Sequence, residues 1–270
     1  MFPILVRLGP VIVYTYTVLI DIGIAAGLGW LYVRAPEGKS ARWLDAGIAA
    51  TVGGFVGARL LYAMVNGGYY LGHLGEVFRI WEGGLAWPGA ALGGLVGLWA
   101  YGGLRARESL APILDALALP MALVSLLSWG GCLAGSCAYG YEVTPGQLPA
   151  WLVMNAPDLY NLTVPRFPTQ AIGLAWSLIA LVLVWGMRDR RWPVGAHGFY
   201  ALSLVALGTF GLAFTRGDPM PLVNGIRLDV VGSALVFVAA SLIWGWLVSR
   251  KPPLPTPQLP IPDPNSNSSH

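Results

Sequence analysis

The chain has 270 residues, 56% of them hydrophobic and 11% charged, with a formal net charge of +3 at pH 7. Water-soluble domains carry about 25% charged residues, so this composition excludes an ordinary soluble domain and points to lipid as the solvent. So small a net charge, with no basic tract, also excludes nucleic acid as a partner.

Seven stretches approach the ~20 apolar residues that a bilayer core requires. The first, Val11–Tyr32, lacks a basic leader and is interrupted by Asp21, so it reads as a retained helix rather than a cleaved signal. Gly47–Val65 follows and carries Arg59 inside the span. The third, Gly84–Gly103, opens within "WEGGLAWPGAALGG" (81–94), where Gly83, Gly84, Gly89, Gly93 and Gly94 remove bulk. Such residues either let helices approach closely or leave room beside a cleft. Ala111–Ala134 carries Asp115, and Thr169–Met187, Ala196–Phe214 and Val230–Val248 complete the set. The expected fold is an all-α integral membrane protein with seven transmembrane helices. Its membrane domain covers residues 1–251, with arms near 66–83 and 135–168, and a Pro-rich tail at 252–270 is expected to be disordered.

Cation placement sets the expected orientation. One side holds Arg34, Lys39, Arg42, Arg105, Arg107, Arg188, Arg190, Arg191, Arg250 and Lys251; the other holds Arg7, Arg79, Arg166, Arg216 and Arg227. The N-terminus is therefore expected outside and the C-terminus in the cytoplasm. Cys132 and Cys137 sit where the fourth span reaches the outer face, where they pack, form a disulfide or leave a thiol available. Their C-x₄-C spacing and three scattered histidines make no metal site.

Charges within spans cost several kcal/mol if they face lipid, so Asp21, Arg59 and Asp115 are expected to face the bundle interior. Either a polar cavity opening outward, with Arg59, Arg166 and Arg216 ready for phosphate, or ion pairs of Arg59 with Asp21 or Asp115 account for them.

Five motifs in register carry a resemblance. "GPVIVYTYTVLIDIG" (9–23), with its tyrosine placed at Tyr16, "GARLLY" (57–62), "WEGGLAWPGAALGG", "RFPTQ" (166–170) and "FTRGD" (214–218) resemble segments of the prolipoprotein diacylglyceryl transferase family of bacterial inner-membrane enzymes. The resemblance implies transfer of diacylglyceryl from phosphatidylglycerol to the thiol of a lipobox cysteine in a prolipoprotein signal peptide, forming a thioether and releasing glycerol phosphate. It implies no cofactor. Carried over position by position, it makes Tyr16, Arg59, Arg166, Gln170 and Arg216 candidates for holding the lipid phosphate. Asp21, Gly83, Gly84, Gly89, Asp115 and Tyr139 are candidates for lining the cavity.

The sequence also departs from the family pattern. Pro88 stands at the family's histidine, Phe167 at a second histidine, Trp129 and Thr209 at two arginines and Ala213 at a glutamate. Those replacements raise the alternative of a catalytically silent relative that binds lipid or serves a membrane complex. A seven-helix transporter, suggested by Asp21 and Asp115 alone, is the third reading; no internal repeat supports it.

Overall fold

The computed structural model describes residues 4–9, 11–80, 83–103, 109–158, 160 and 162–250. The Pro-rich tail at 252–270, the loop cations Arg105, Arg107 and Lys251, and the start of the glycine-rich stretch, Trp81 and Glu82, lie outside these residues.

A hairpin of β1 (Ile4–Leu8) and β2 (Val11–Tyr14) leads into α1 (Thr15–Arg34). Next come α2 (Ser40–Val65), the single turn α3 (Gly67–Tyr70), a 3₁₀ turn over Leu74–Phe78, and α4 (Trp87–Tyr101). The fourth span of the sequence is two helices, α5 (Ala111–Ala116) and α6 (Ala118–Gly135), interrupted at Leu117. Pro120 explains the break: it has no N–H to offer the carbonyl of Ala116, four residues back. A polar segment with a second hairpin, β3 (Met154–Pro157) and β4 (Thr163–Arg166), precedes α7 (Thr169–Met187) and α8 (Ala196–Ala213). The short hairpin of β5 (Leu222–Val223) and β6 (Ile226–Arg227) then turns the chain into α9 (Leu228–Ser249).

Helix contacts close a ring in the order α1, α2, α4, α9, α8, α6 and back to α1, with α7 outside against α6 and α8. Half of α8 is buried, against 17–28% for the other long apolar helices, so α8 is the most enclosed of them. Apolar side chains cover the outer surface, among them Val33, Val96, Leu178, Val182, Leu235 and Leu242. Exposure on that scale is a liability in water and the normal state in lipid. Among the described residues the protein is mostly helical, with six helices long and apolar enough to span a membrane, counting α5 and α6 as one. The third span expected from the sequence, Gly84–Gly103, is shorter here. Gly83 and Gly84 take positive φ, and Pro88 opens α4, which has 15 residues. At 1.5 Å per residue that is about 22 Å of helix.

The glycines of that stretch have a specific use. A Cβ added to Gly89, Gly93 or Gly97 on α4, or to Gly53 or Gly57 on α2, would collide with the backbone of the other helix. Spaced four apart, these glycines form one stripe on each helix, and the two backbones meet along it. Gly89 thus lies buried between α2 and α4, rather than in a cavity wall as the sequence suggested. We predict that Gly93→Leu costs at least about 2 kcal/mol through overpacking, read as a lowered Tm in detergent. Gly29→Leu, where a Cβ meets nothing within 4 Å, should leave Tm nearly unchanged.

Candidate functional site

The end of the bundle where α1 and α7 begin and α6 and α8 finish gathers the polar segments. Residues 139–143 run extended between two neighbours. Tyr141 N–H donates to the Thr215 carbonyl at 3.0 Å, and Gly217 N–H to Tyr139 at 2.8 Å. On the other side, Phe167 N–H donates to Tyr141 at 2.9 Å and Val143 N–H to Pro165 at 2.9 Å. Gly140 is required in the middle, because a Cβ there would strike the Phe167 carbonyl. This strip brings the loop after α6, the start of α7 and the end of α8 together.

Two charge clusters lie on the strip. In the first, the Arg166 guanidinium is 3% exposed and donates to Glu142 Oε1 at 3.1 Å and Asp158 Oδ2 at 3.4 Å, and to the Ala156 and Gly140 carbonyls. It also lies 4.6 Å from the Tyr139 ring centroid. Burial, with help from the carboxylates of Asp158 and Asp218, raises the Tyr139 phenol above its ordinary pKa despite Arg166, so it stays protonated at neutral pH. In the second cluster Arg216 grips Asp218 through both carboxylate oxygens, at 2.8 and 2.5 Å, with Asp229 3.6 Å away. Arg227 forms a fork with Asp229 at 3.1 Å on both arms and donates to the Asp218 and Arg216 carbonyls. Burial alone would lower the affinity of Arg216 for its proton, but Asp218 and Asp229 together raise it. Three guanidiniums thus face four carboxylates, counting Arg166, Arg216 and Arg227 against Glu142, Asp158, Asp218 and Asp229.

Five residues singled out from the sequence converge here. Tyr16, at the start of α1, packs against Gly131 and Gly135 of α6. Gln170, 1% exposed, donates to the carbonyls of Cys132 at 3.1 Å and Cys137 at 2.6 Å. Those cysteines are joined by a disulfide with a Cα–Cα separation of 4.6 Å, closing the turn at the end of α6. Tyr139, Arg166 and Arg216 complete the group. Arg59 is tied to neither Asp21 nor Asp115. Its guanidinium donates to four carbonyls, those of Glu76, Val77, Gly83 and Gly84, at 2.5 to 3.2 Å, and so pins the 67–84 arm onto α2. Gly84, with φ +70°, is held against Arg59 and Tyr62, while Gly83 is exposed.

Both acidic residues expected to face the interior near this site are elsewhere. Asp21 is exposed on α1, because the buried stripe of that helix is Gly23, Gly27 and Leu31, and Asp21 points about 200° away from Gly23. Asp115 is at the opposite end of the bundle. It accepts from Gly195 N–H at 2.7 Å and Gly198 N–H at 3.1 Å, capping the N-terminus of α8.

The positions where the resemblance expects other residues are filled and packed. Pro88 is buried at the start of α4 against Gly232 of α9, Trp129 lies on Gly173 of α7, and the Thr209 hydroxyl donates back to the Val205 carbonyl in its own helix. Phe167 stacks on Tyr141 at 5.4 Å. Arg227, Asp229, Glu142 and Asp158 were not singled out from the sequence. The repeated Arg-x-Asp at 216–218 and 227–229 was the available signal.

A family model described as prolipoprotein diacylglyceryl transferase matches residues 3–246. The chain belongs to this family. It is 32% identical over 257 residues to a phosphatidylglycerol–prolipoprotein diacylglyceryl transferase of Rhodococcus jostii, covering 86% of this chain and 69% of that protein. A relative of the same name from Paenarthrobacter aurescens is 31% identical over 265 residues, covering 91% of this chain and 81% of that protein. A charge buried in a membrane bundle is costly unless it is paired. Asp229→Ala, which removes a buried carboxylate and leaves two part-buried guanidiniums with one partner, should cost up to about 3–5 kcal/mol in denaturation experiments. Glu142→Ala, at a side chain 65% exposed, should cost at most about 1 kcal/mol.

Proposed function

We propose that the protein handles phosphatidylglycerol at the Arg216 end of the bundle and transfers its diacylglyceryl group to a prolipoprotein cysteine, at a rate well below that of its relatives. The observation that carries this reading is the convergence of Tyr16, Tyr139, Arg166, Gln170 and Arg216 at one end of the bundle, in a chain matched over residues 3–246. The slowness follows from what occupies the replaced positions. Transfer requires that the thiol lose its proton and that a phosphate leave. A buried proline cannot accept a proton, and Trp129 and Thr209 bring no charge. Arg166 and Arg216 remain, but each is already engaged by two carboxylates, so a lipid phosphate must compete for them.

In this reading the whole of residues 1–251 is a seven-helix domain of the bacterial inner membrane, with α4 and its flanks as the seventh crossing. The N-terminus and the arms near 66–83 and 135–168 lie outside, and the C-terminus is cytoplasmic. The excess of Lys and Arg at the Arg34 and Arg188 end supports that orientation.

A second reading, a silent relative that binds lipid without transferring it, is favoured by the burial of Pro88 against Gly232 and the complete pairing of Arg216. One assay separates the two. Purified protein is given phosphatidylglycerol and a lipobox peptide, and the peptide is weighed for a diacylglyceryl thioether. We expect product at a rate about 10²–10⁴-fold below that of the Rhodococcus relative, the usual worth of an acid–base group, and a partial recovery in Pro88→His. No product from either form, with the protein folded and lipid retained, would establish the second reading instead.

A further inference from the structure

Helices α1 and α7 both pack on α6 but scarcely on each other. Between them they leave a lipid-facing groove of about 470 Å³, floored by Leu119, Pro120 and Leu123 of α6 and walled by Gly27, Trp30 and Leu181 among others. Gly27 is part of the reason it is there: Pro120 seats directly on it, so α1 draws close to α6 and leaves its Trp30 turn overhanging the floor. All of the residues named are apolar or aromatic.

At the end of the bundle opposite Arg216 the groove runs into a second cavity of about 230 Å³, with which it shares Trp30 and Leu119. Here the chemistry changes. Arg34 and Arg188 line this cavity, one turn beyond the tryptophans of the two groove walls. The Arg34 guanidinium lies 5.3 Å from the Trp30 ring centroid, and that of Arg188 lies 3.9 Å from the Trp185 centroid. Each cation is therefore steadied by a ring. Among the described residues, neither is neutralised by a buried carboxylate. Asp115, which also lines the cavity, is taken up by the N–H groups of Gly195 and Gly198. His197 turns one nitrogen to the Met187 carbonyl at 3.1 Å and the other towards Asp115 at 4.0 Å. Arg188 has Asp189 at 3.4 Å, but that side chain is 86% exposed and such pairs are weak.

We propose that the groove and this cavity form a binding site for one anionic glycerophospholipid, its phosphate between Arg34 and Arg188 and an acyl chain along the α1–α6–α7 groove. The order of the lining matches the order of the ligand: apolar along the membrane depth, aromatic at the interface, cationic one turn further out. The site is at the far end of α1 and α7 from Arg216, about 30 Å away along helices of 20 and 19 residues. It is thus separate from the transfer site, and it does not depend on the activity proposed there.

Native mass spectrometry of the full-length protein in detergent tests this, titrated with dioleoyl phosphatidylglycerol and with dioleoyl phosphatidylcholine. Wild type should hold phosphatidylglycerol in preference to phosphatidylcholine. The double variant Arg34→Gln/Arg188→Gln should weaken one bound phosphatidylglycerol by roughly 25-fold, about fivefold for each cation, while a lipid held at the Arg216 end is untouched. Leu123→Trp, which fills the groove and leaves both arginines in place, should weaken the same lipid. An unchanged phosphatidylglycerol titration in the double variant would overturn the proposal. So would equal retention of the two lipids by wild type, or displacement by excess inorganic phosphate, which would make the arginine pair a site for free anions.

Discussion

A charge placed inside an apolar bundle has to be met by a full set of partners, and this structure is organised around that requirement. Four guanidiniums at the Arg216 end are met in this way: Arg59 by four carbonyls, Arg166 by two carboxylates and two carbonyls, Arg216 and Arg227 by a shared pair of aspartates. Leaving any of them half-satisfied would cost several kcal/mol in a low-dielectric surrounding. The pairing therefore decides where the loops go. Arg59 draws the 67–84 arm down onto α2, and Arg216 with Arg227 folds the turn between α8 and α9 back on itself.

Close approach between helices supplies the frame on which those loops are hung. Where α2 meets α4 the glycine stripes bring backbone against backbone, and Ala86 N–H reaches the Ala58 carbonyl at 3.1 Å as the arm returns. Elsewhere a large ring lies on a glycine. Trp129 covers Gly173, and Trp176 covers Gly208 while its indole N–H donates to the Leu204 carbonyl at 2.9 Å. The disulfide and Gln170 then lock the end of α6 to the start of α7, which sets the position of the strip at 139–143. In lipid, where helices gain no hydrophobic drive from meeting one another, such fitted contacts and hydrogen bonds carry the association.

The residues standing where the resemblance expects charged groups have a common physical character. Each carries no charge and packs: Pro88 on Gly232, Trp129 on Gly173, Phe167 on Tyr141. Arg166 and Arg216 are each engaged by two carboxylates, and an anion held there must compete with them. That competition is the basis for proposing slow transfer. At the other end of the bundle the balance is reversed, with Arg34 and Arg188 facing a cavity whose carboxylate is already committed to a helix terminus.

Much of this protein is determined by sequence alone. Hydropathy marks the long apolar helices because lipid demands an unbroken apolar run, and five spaced motifs mark the family because each depends on residues close together in the chain. The break at Leu117 and the short start of α4 were less legible, since Pro120 and Pro88 act on helices through backbone groups that hydropathy does not weigh. The partners of the charges were not legible at all. Nothing local in the chain says that Arg59 would choose carbonyls over Asp21 or Asp115, that Asp115 would cap α8 from 80 residues away, or that Asp21 would remain outside. Those outcomes depend on which helix faces which, and only tertiary packing brings residues so distant in sequence within a few ångströms of each other.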